Sequence, residues 1–209
     1  MITAEAITED TYHSLSSPGK AELKEKGSRF IGLAYPVGGP QEAEAKLKEI
    51  KREYPDANHH CYAYLTQPCK PKVRFNDDGE PSNSAGGPIF QAIRSAELWD
   101  VLVIVVRYFG GVKLGVGGLM SAYRQVANLV LEKAIKKQIY LTERFEASLP
   151  YTEIGRILNT LKDQGAIIVE ENMGEMAGYL MEVRRSKVKA IQEAAAQEKN
   201  LKLKWLKEN

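Results

Sequence analysis

The sequence predicts an α+β protein of two domains, residues 1–142 and 143–209, and three observations carry that reading. Val101 to Val106 is a run of six β-branched or leucine residues, the pattern of a central strand covered on both faces. Leu119 to Lys137 places Ala122, Val126, Leu129, Val130 and Ile135 on one helical face, the strongest helical period in the chain. From Phe145 onward the pattern runs strand, helix, strand, strand, helix, strand, the βαββαβ order of a ferredoxin-like plait.

Taken in order, Ala21 to Lys26 and Arg29 to Val37 read as extended, and Gln41 to Glu53 as an amphipathic helix with Ala45, Leu47 and Ile50 inward. Pro55-Asp56 stops it, and Ala57 to Thr66 returns as a strand with Cys61, Ala63 and Leu65 on one face. Gln67 to Pro88 shows little periodicity and reads as a long ordered loop, a feature compact domains rarely carry without a function. Ala85 to Trp99 predicts a helix with Pro88 in its first turn.

The tail predicts strand Phe145–Leu149, helix Thr152–Asp163 stopped at Gly165, strand Ala166–Glu171, strand Gly178–Arg184, helix Ser186–Glu198 and strand Leu201–Leu206. Thr152 and Ser186 stand at expected N-caps, and Asn172-Met-Gly174 at an expected hairpin turn.

Composition narrows the function classes. At 209 residues and 44% hydrophobic, the chain can build real cores. It has no apolar run of the roughly 18 residues a membrane span needs, and Met1 to Asp10 is acidic, without the basic and apolar regions of a secretory signal. A cytoplasmic protein with no membrane association is therefore expected. Cys61 and Cys69 are its two cysteines, and no disulfide is expected between them in a reducing compartment. The net charge of +2 is too near zero to advertise nucleic-acid binding, which leaves a local basic patch open.

The chemistry-bearing residues gather in two stretches. After the apolar run come Arg107-Tyr-Phe-Gly-Gly111 and Lys113-Leu-Gly-Val-Gly-Gly118. The spacing fits neither a dinucleotide-binding fingerprint nor a phosphate-binding Walker loop. Exposed N–H groups of Gly110, Gly111, Gly115, Gly117 and Gly118 beside Lys113 and Arg107 would attract phosphate or carboxylate. The alternative is that the glycines only shape a turn and permit close packing. Upstream, Asp77-Asp-Gly-Glu80 lacks the ligand alternation of a calcium loop. Its carboxylates either accept hydrogen bonds from nearby loop N–H groups or, in an enzyme, act as acid or base together with His59.

His59 and Cys61 share one strand face and His60 takes the other. Too few further ligands exist for zinc, so no metal and no cofactor is expected; Cys61 reads as packed and His59 as hydrogen-bonded. Lys26, Arg29, Arg107 and Lys113 would form one basic, phosphate-contacting face if their strands pair.

The same residues resemble a known family. Lys26-Gly-Ser-Arg-Phe-Ile31, Ala57-Asn-His-His-Cys-Tyr-Ala63, Asp77-Asp-Gly-Glu-Pro-Ser82, Ala85-Gly86, Arg107-Tyr-Phe-Gly-Gly111, Leu114-Gly-Val-Gly-Gly-Leu119 and Ala122-Tyr123 agree in order with the IMPACT/YigZ family. Many relatives carry Ser-Gly-Thr-Ala-Gly-Lys-Pro where this chain has Ser82-Asn-Ser-Ala-Gly-Gly-Pro88, so a lysine that could serve a phosphate is absent at Gly87. The resemblance implies a first domain similar to the second domain of a small-subunit ribosomal protein and to domain four of elongation factor G. It implies a C-terminal plait similar to that factor's fifth domain. It further implies RNA or ribosome binding for bacterial members, and regulation of translation initiation through protein partners for eukaryotic ones.

The resulting expectation is a translation-linked regulatory or binding protein. Its contact face would run through residues 26–29, 77–86 and 107–118, with Lys26, Ser28, Arg29, Ala85, Gly86, Arg107, Tyr108 and the glycine loop holding the anion. The alternative is an enzyme acting on a small anionic substrate, with Asp77, Asp78 or Glu80 as base. A third possibility is a regulator that contacts protein partners alone.

Overall fold

The computed structural model describes residues 10–206. The N-terminal segment in which no secretory signal is expected lies outside them apart from Asp10. Among the described residues helices mix with three sheets, and the chain divides into two compact units, the first ending at Ile139 and the second beginning at Tyr140. Among the described residues, no helix is long and apolar enough to cross a membrane.

The first unit contains β1 (Thr11–Leu15), β2 (Gly19–Glu25), β3 (Ser28–Pro36), α1 (Pro40–Glu53), β4 (His59–Thr66), β5 (Lys72–Asn76), α2 (Gly86–Ser95), β6 (Val101–Tyr108) and α3 (Gly115–Lys133). It is followed by β7 (Lys136–Tyr140), which pairs with β1 in a separate ribbon. The main sheet has the order β2-β3-β6-β4-β5, and every neighbouring pair is antiparallel. The apolar run of β6 lies at its centre, and all six residues are fully buried. Their alternation divides them between two cores. Val101, Val103 and Val105 pack with α2 and α3 on one face, and Leu102, Ile104 and Val106 pack with α1 on the other. Each such side chain contributes about 1.5–3 kcal/mol by leaving water, which makes β6 the strand that fixes the geometry at its own C-terminal end.

Several expectations shift here. The supposed long loop contains β5, whose Lys-Val-Arg-Phe-Asn sequence alternates exposed and half-buried side chains. Helix α3 begins four residues earlier than predicted, so Gly115, Gly117 and Gly118 lie in its first turn. It ends at Lys133, and Ile135, expected on the inner face, is exposed beyond it. In α1 it is Ala43, not Ala45, that is buried with Ile50. Helix α2 stops at Ser95, short of Trp99, where Glu97 takes a positive φ of 55°.

The second unit contains β8 (Thr142–Leu149), α4 (Ile154–Asp163), β9 (Ile167–Met173), β10 (Ala177–Arg184), α5 (Val188–Ala196) and β11 (Lys202–Trp205). Its antiparallel sheet has the order β11-β8-β10-β9. Phe145, Ala147, Leu149, Tyr179, Met181 and Val183 pack against Ile157, Leu158 and Leu161 of α4 and Ile191 of α5. Thr152 and Ser186 are not the N-caps. Each lies in a short 3-10 turn leading into the helix, which puts Glu153 and Lys187 at the cap positions with no side-chain cap bond. Strand β9 runs on to pair Met173 with Ala177, so the hairpin turn falls at Gly174–Met176, two residues beyond its expected place.

Candidate functional site

The end of β6 leads to the site. His59 and Phe30 flank Arg107 in register on β4 and β3, so the three side chains leave the sheet on the α2/α3 face. Arg107 is 5% exposed and lies between the rings of Phe30 and Phe109, its guanidinium carbon 5.3 and 5.6 Å from their centroids. Its Nη1 donates to Glu80 Oε1 at 2.6 Å and its Nη2 to Ser28 Oγ at 3.3 Å. Glu80 Oε1 also accepts from the Tyr123 hydroxyl at 2.7 Å. The Cys61 thiol lies 3.3 Å from that hydroxyl and 2.9 Å from the Asp77 carbonyl oxygen. A continuous polar network therefore joins β4, α3, the acidic turn, β6 and β3 inside an otherwise apolar core.

Burial keeps two members of this network neutral. It pushes the Tyr123 phenol and the Cys61 thiol far above their ordinary values. A thiol held neutral is not a nucleophile, and Cys61 is a packed residue with a hydrogen bond.

The acidic turn has three carboxylates with three separate duties. Asp77 accepts from the N–H groups of Asn83, Ala85 and Gly86 at 2.8 to 2.9 Å, acting as a remote cap on the positive end of α2. Asp78 accepts from Lys51 Nζ and from the His60 N–H. Burial alone would raise the Asp78 carboxyl, but these two bonds outweigh it and hold the group below the usual carboxylate value. Glu80, with a side chain only 4% exposed, is the buried partner of Arg107.

Above the Glu80–Arg107 pair lies a cleft of about 490 Å³ whose floor includes Asn58 and His59 and whose walls include Pro81, Phe109, Val116 and Leu119, with Lys113 at the edge. His59 Nδ1 lies 2.8 Å from the Asp78 carbonyl oxygen. The neutral ring must therefore carry its proton on Nδ1, leaving Nε2 as an acceptor. That Nε2 faces Glu80 Oε1 at 3.9 Å. Asn58 Oδ1 accepts from Phe109 N–H, and Ser28 Oγ accepts from Gly110 N–H, which ties the glycine loop to the sheet.

The glycines divide by role. A Cβ on Gly110 would sit 1.9 Å from the carbonyl carbon of Gly27, so close packing demands glycine there. Gly111 and Gly115 have φ of +87° and +71°, and a Cβ on either would meet nothing within 4 Å. Gly117 has neither a positive φ nor a neighbour within 4 Å.

The structure brings His59, Glu80, Arg107, Lys113 and Gly115 to one cleft, with Ser28 and Gly110 behind it. It does not assemble the expected basic face. Arg29 pairs in register with Tyr108, one residue out of phase with Arg107, and both project to the opposite face of the sheet. Arg29 there makes a two-pronged bond to Glu22. Ala85 and Gly86 are buried and their N–H groups are spent on Asp77, so neither can receive an anion. Arg107 is itself neutralised by Glu80. Lys26 stands in the β2–β3 turn, next in sequence to the glycine that Gly110 touches.

Asn58, Phe109 and Tyr123 stand in the motifs that carry the family resemblance, and Phe109 in the expected 107–118 face, but none of them was expected individually as a site residue. A signal existed for two of them. Tyr123 carries a hydroxyl on the inner stripe of α3, where a buried phenol needs a partner, and Phe109 is a bulky ring set against two glycines at a strand end.

A family model for the Impact N-terminal domain matches residues 26–131, a span that contains the whole network and the cleft. The chain belongs to the IMPACT family. It is 32% identical over 183 residues to the IMPACT family member YvyE of Bacillus subtilis, covering 88% of this chain and 84% of that protein. It is 36% identical over 121 residues to the IMPACT family member YigZ of Escherichia coli, covering 56% of this chain and 59% of that one. A crystal structure described as that of a hypothetical protein superposes with a TM-score of 0.70 at 25% identity, covering 96% of this chain and all of the other. Among the described residues no group of histidine, cysteine, aspartate and glutamate side chains could hold a metal ion.

Proposed function

We propose that this IMPACT-family chain is a cytoplasmic, translation-linked binding protein that contacts RNA or the ribosome through the rim of the cleft. The single observation carrying the proposal is Gly117, which lies in the first turn of α3 next to the cleft-lining Val116. The fold requires glycine at 110, 111 and 115, but not at 117, where a side chain would project into open space. Glycine within a helix costs about 0.5–1 kcal/mol relative to alanine, and a bare backbone is useful where a partner must approach closely. The surroundings agree: Phe109 and Val116 are exposed apolar side chains that line the same cleft as Lys113, a mix suited to bases and phosphates together.

The element order of the second unit, βαββαβ with the sheet order β11-β8-β10-β9, supports reading it as ferredoxin-like. The family resemblance likens the first unit to a ribosomal-protein domain, and the two together are the pairing it implies for domains four and five of elongation factor G. A second reading, an enzyme acting on a small anionic substrate, draws on His59 Nε2 facing Glu80 within the cleft. In that reading His59 replaces Asp77 and Asp78, whose carboxylates are already engaged.

The test is retention of the purified chain on ribosomes and on total cellular RNA at two salt concentrations, beside a Lys26→Ala/Lys113→Ala variant. Binding should fall steeply with salt, and the variant should lower the slope of log affinity against log salt by about one to two. Absence of binding at low salt would remove the RNA reading and leave protein partners and small anions.

A further inference from the structure

We infer that the cleft is a pocket for one unstacked nucleobase carrying an exocyclic amino group, that is, adenine, cytosine or guanine in preference to uracil. The inference rests on the RNA reading above and gives it a chemistry. It starts from a mismatch in the floor of the cleft, where two acceptors face each other. Glu80 is a carboxylate, and in its neutral form His59 gives its one ring proton, on Nδ1, to the Asp78 carbonyl, so that its Nε2 offers only a lone pair. The 3.9 Å between Nε2 and Glu80 Oε1 is too long for a hydrogen bond. Glu80 Oε2 takes part in neither the bond from Arg107 nor the bond from Tyr123. A group with two N–H donors at one atom satisfies both sides at once, and an amino group on an aromatic ring is such a group.

The walls agree with a flat ring. Phe109 is packed on one side by the Arg107 guanidinium, which is itself packed on Phe30, so its ring is held in place while 46% of the residue stays exposed. A base laid on Phe109 would extend the stack, the usual way proteins hold single-stranded RNA. Pro81, Val116 and Leu119 supply the opposing apolar surface. The volume of about 490 Å³ lies within the range of small-ligand sites. Lys113 at the edge is placed for the phosphate that follows the base.

The experiment measures the affinity of the full chain for short, end-labelled homopolymers of adenylate, cytidylate and uridylate by fluorescence anisotropy at one fixed, low salt concentration. Adenylate and cytidylate should bind about tenfold tighter than uridylate. Phe109→Ala should weaken all three by about tenfold, and His59→Phe should bring adenylate and cytidylate down to the uridylate level, each variant being checked for an unchanged thermal transition. Equal affinity for the three homopolymers in the natural sequence needs no variant to interpret: it overturns the base pocket and leaves RNA binding standing. An undiminished affinity in Phe109→Ala, or discrimination that survives His59→Phe, overturns it likewise. No binding to any homopolymer overturns the pocket and the RNA reading together.

Discussion

Tyr123 is where packing and polarity meet. Its ring lies edge-on to Phe30 at 5.2 Å, and its hydroxyl bridges Glu80 and the Cys61 thiol. If it were only a core aromatic, Tyr123→Phe would be nearly silent, since the ring stays. Removing the hydroxyl instead deprives a buried carboxylate of one of its two donors, and that loss should cost about 1–3 kcal/mol, read as a lower urea midpoint at unchanged slope. A midpoint equal to that of the natural sequence would assign the network no role in stability. His60 makes the second case. It is buried on the α1 side of β4, its Nε2 3.0 Å from the Tyr54 carbonyl oxygen. Burial lowers its pKa below the ordinary 6.5, more than the Tyr54 carbonyl and Asp78 raise it. The unfolded chain therefore binds this proton first, and stability falls as pH drops below about 6.5 toward the depressed folded value. His60→Gln should flatten the decline of thermal midpoint between neutral and mildly acidic pH, and an unaltered decline would place the titrating group elsewhere.

At the scale of elements, what the sequence made legible was whatever one side-chain period encodes. Strand β6 was readable because two buried faces leave no polar position in Val101–Val106. Strand β5 was not, although Val73 and Phe75 do alternate with polar neighbours, because turn residues surround its five positions and a short edge strand gives a weak signal. The start of α3 was misplaced for a physical reason: Gly115, Gly117 and Gly118 are poor helix formers, yet the helix runs through them to place Val116 and Leu119 against the cleft. The site itself was half legible. Residue types pointed to the correct turn and loop, but strand phase decides which side chains meet, and phase depends on pairing register. Arg29 opposite Tyr108 and Phe30 opposite Arg107 put the two arginines on opposite faces, which no local pattern reveals. The burial of Glu80 against Arg107 is likewise a contact between residues 27 apart in sequence.

At the scale of the molecule, the chain has separable hydrophobic cores. In the first unit two clusters share one sheet, with β6 contributing to both, so neither can be lost without the other. In the second unit a single cluster, built around Phe145, Met181 and Ile191, draws on none of those residues. Its sheet is an open one of four strands, with β8 and β10 central and β9 and β11 at the edges. Cooperativity follows shared burial, so the first unit should melt as one body despite its two-sided core, and the second independently of it. Residues 140–209 form a small unit, and small units bury a smaller fraction of their surface, so this one should give way first. Denaturation followed at Trp205, in the second unit, against Trp99, in the first, with each tryptophan in turn replaced by phenylalanine, should show two transitions with the Trp205 signal lost at the lower urea concentration. A single coincident transition for both reporters would mean that the units stabilise one another, and an RNA-contacting face could then no longer be assigned to the first unit alone.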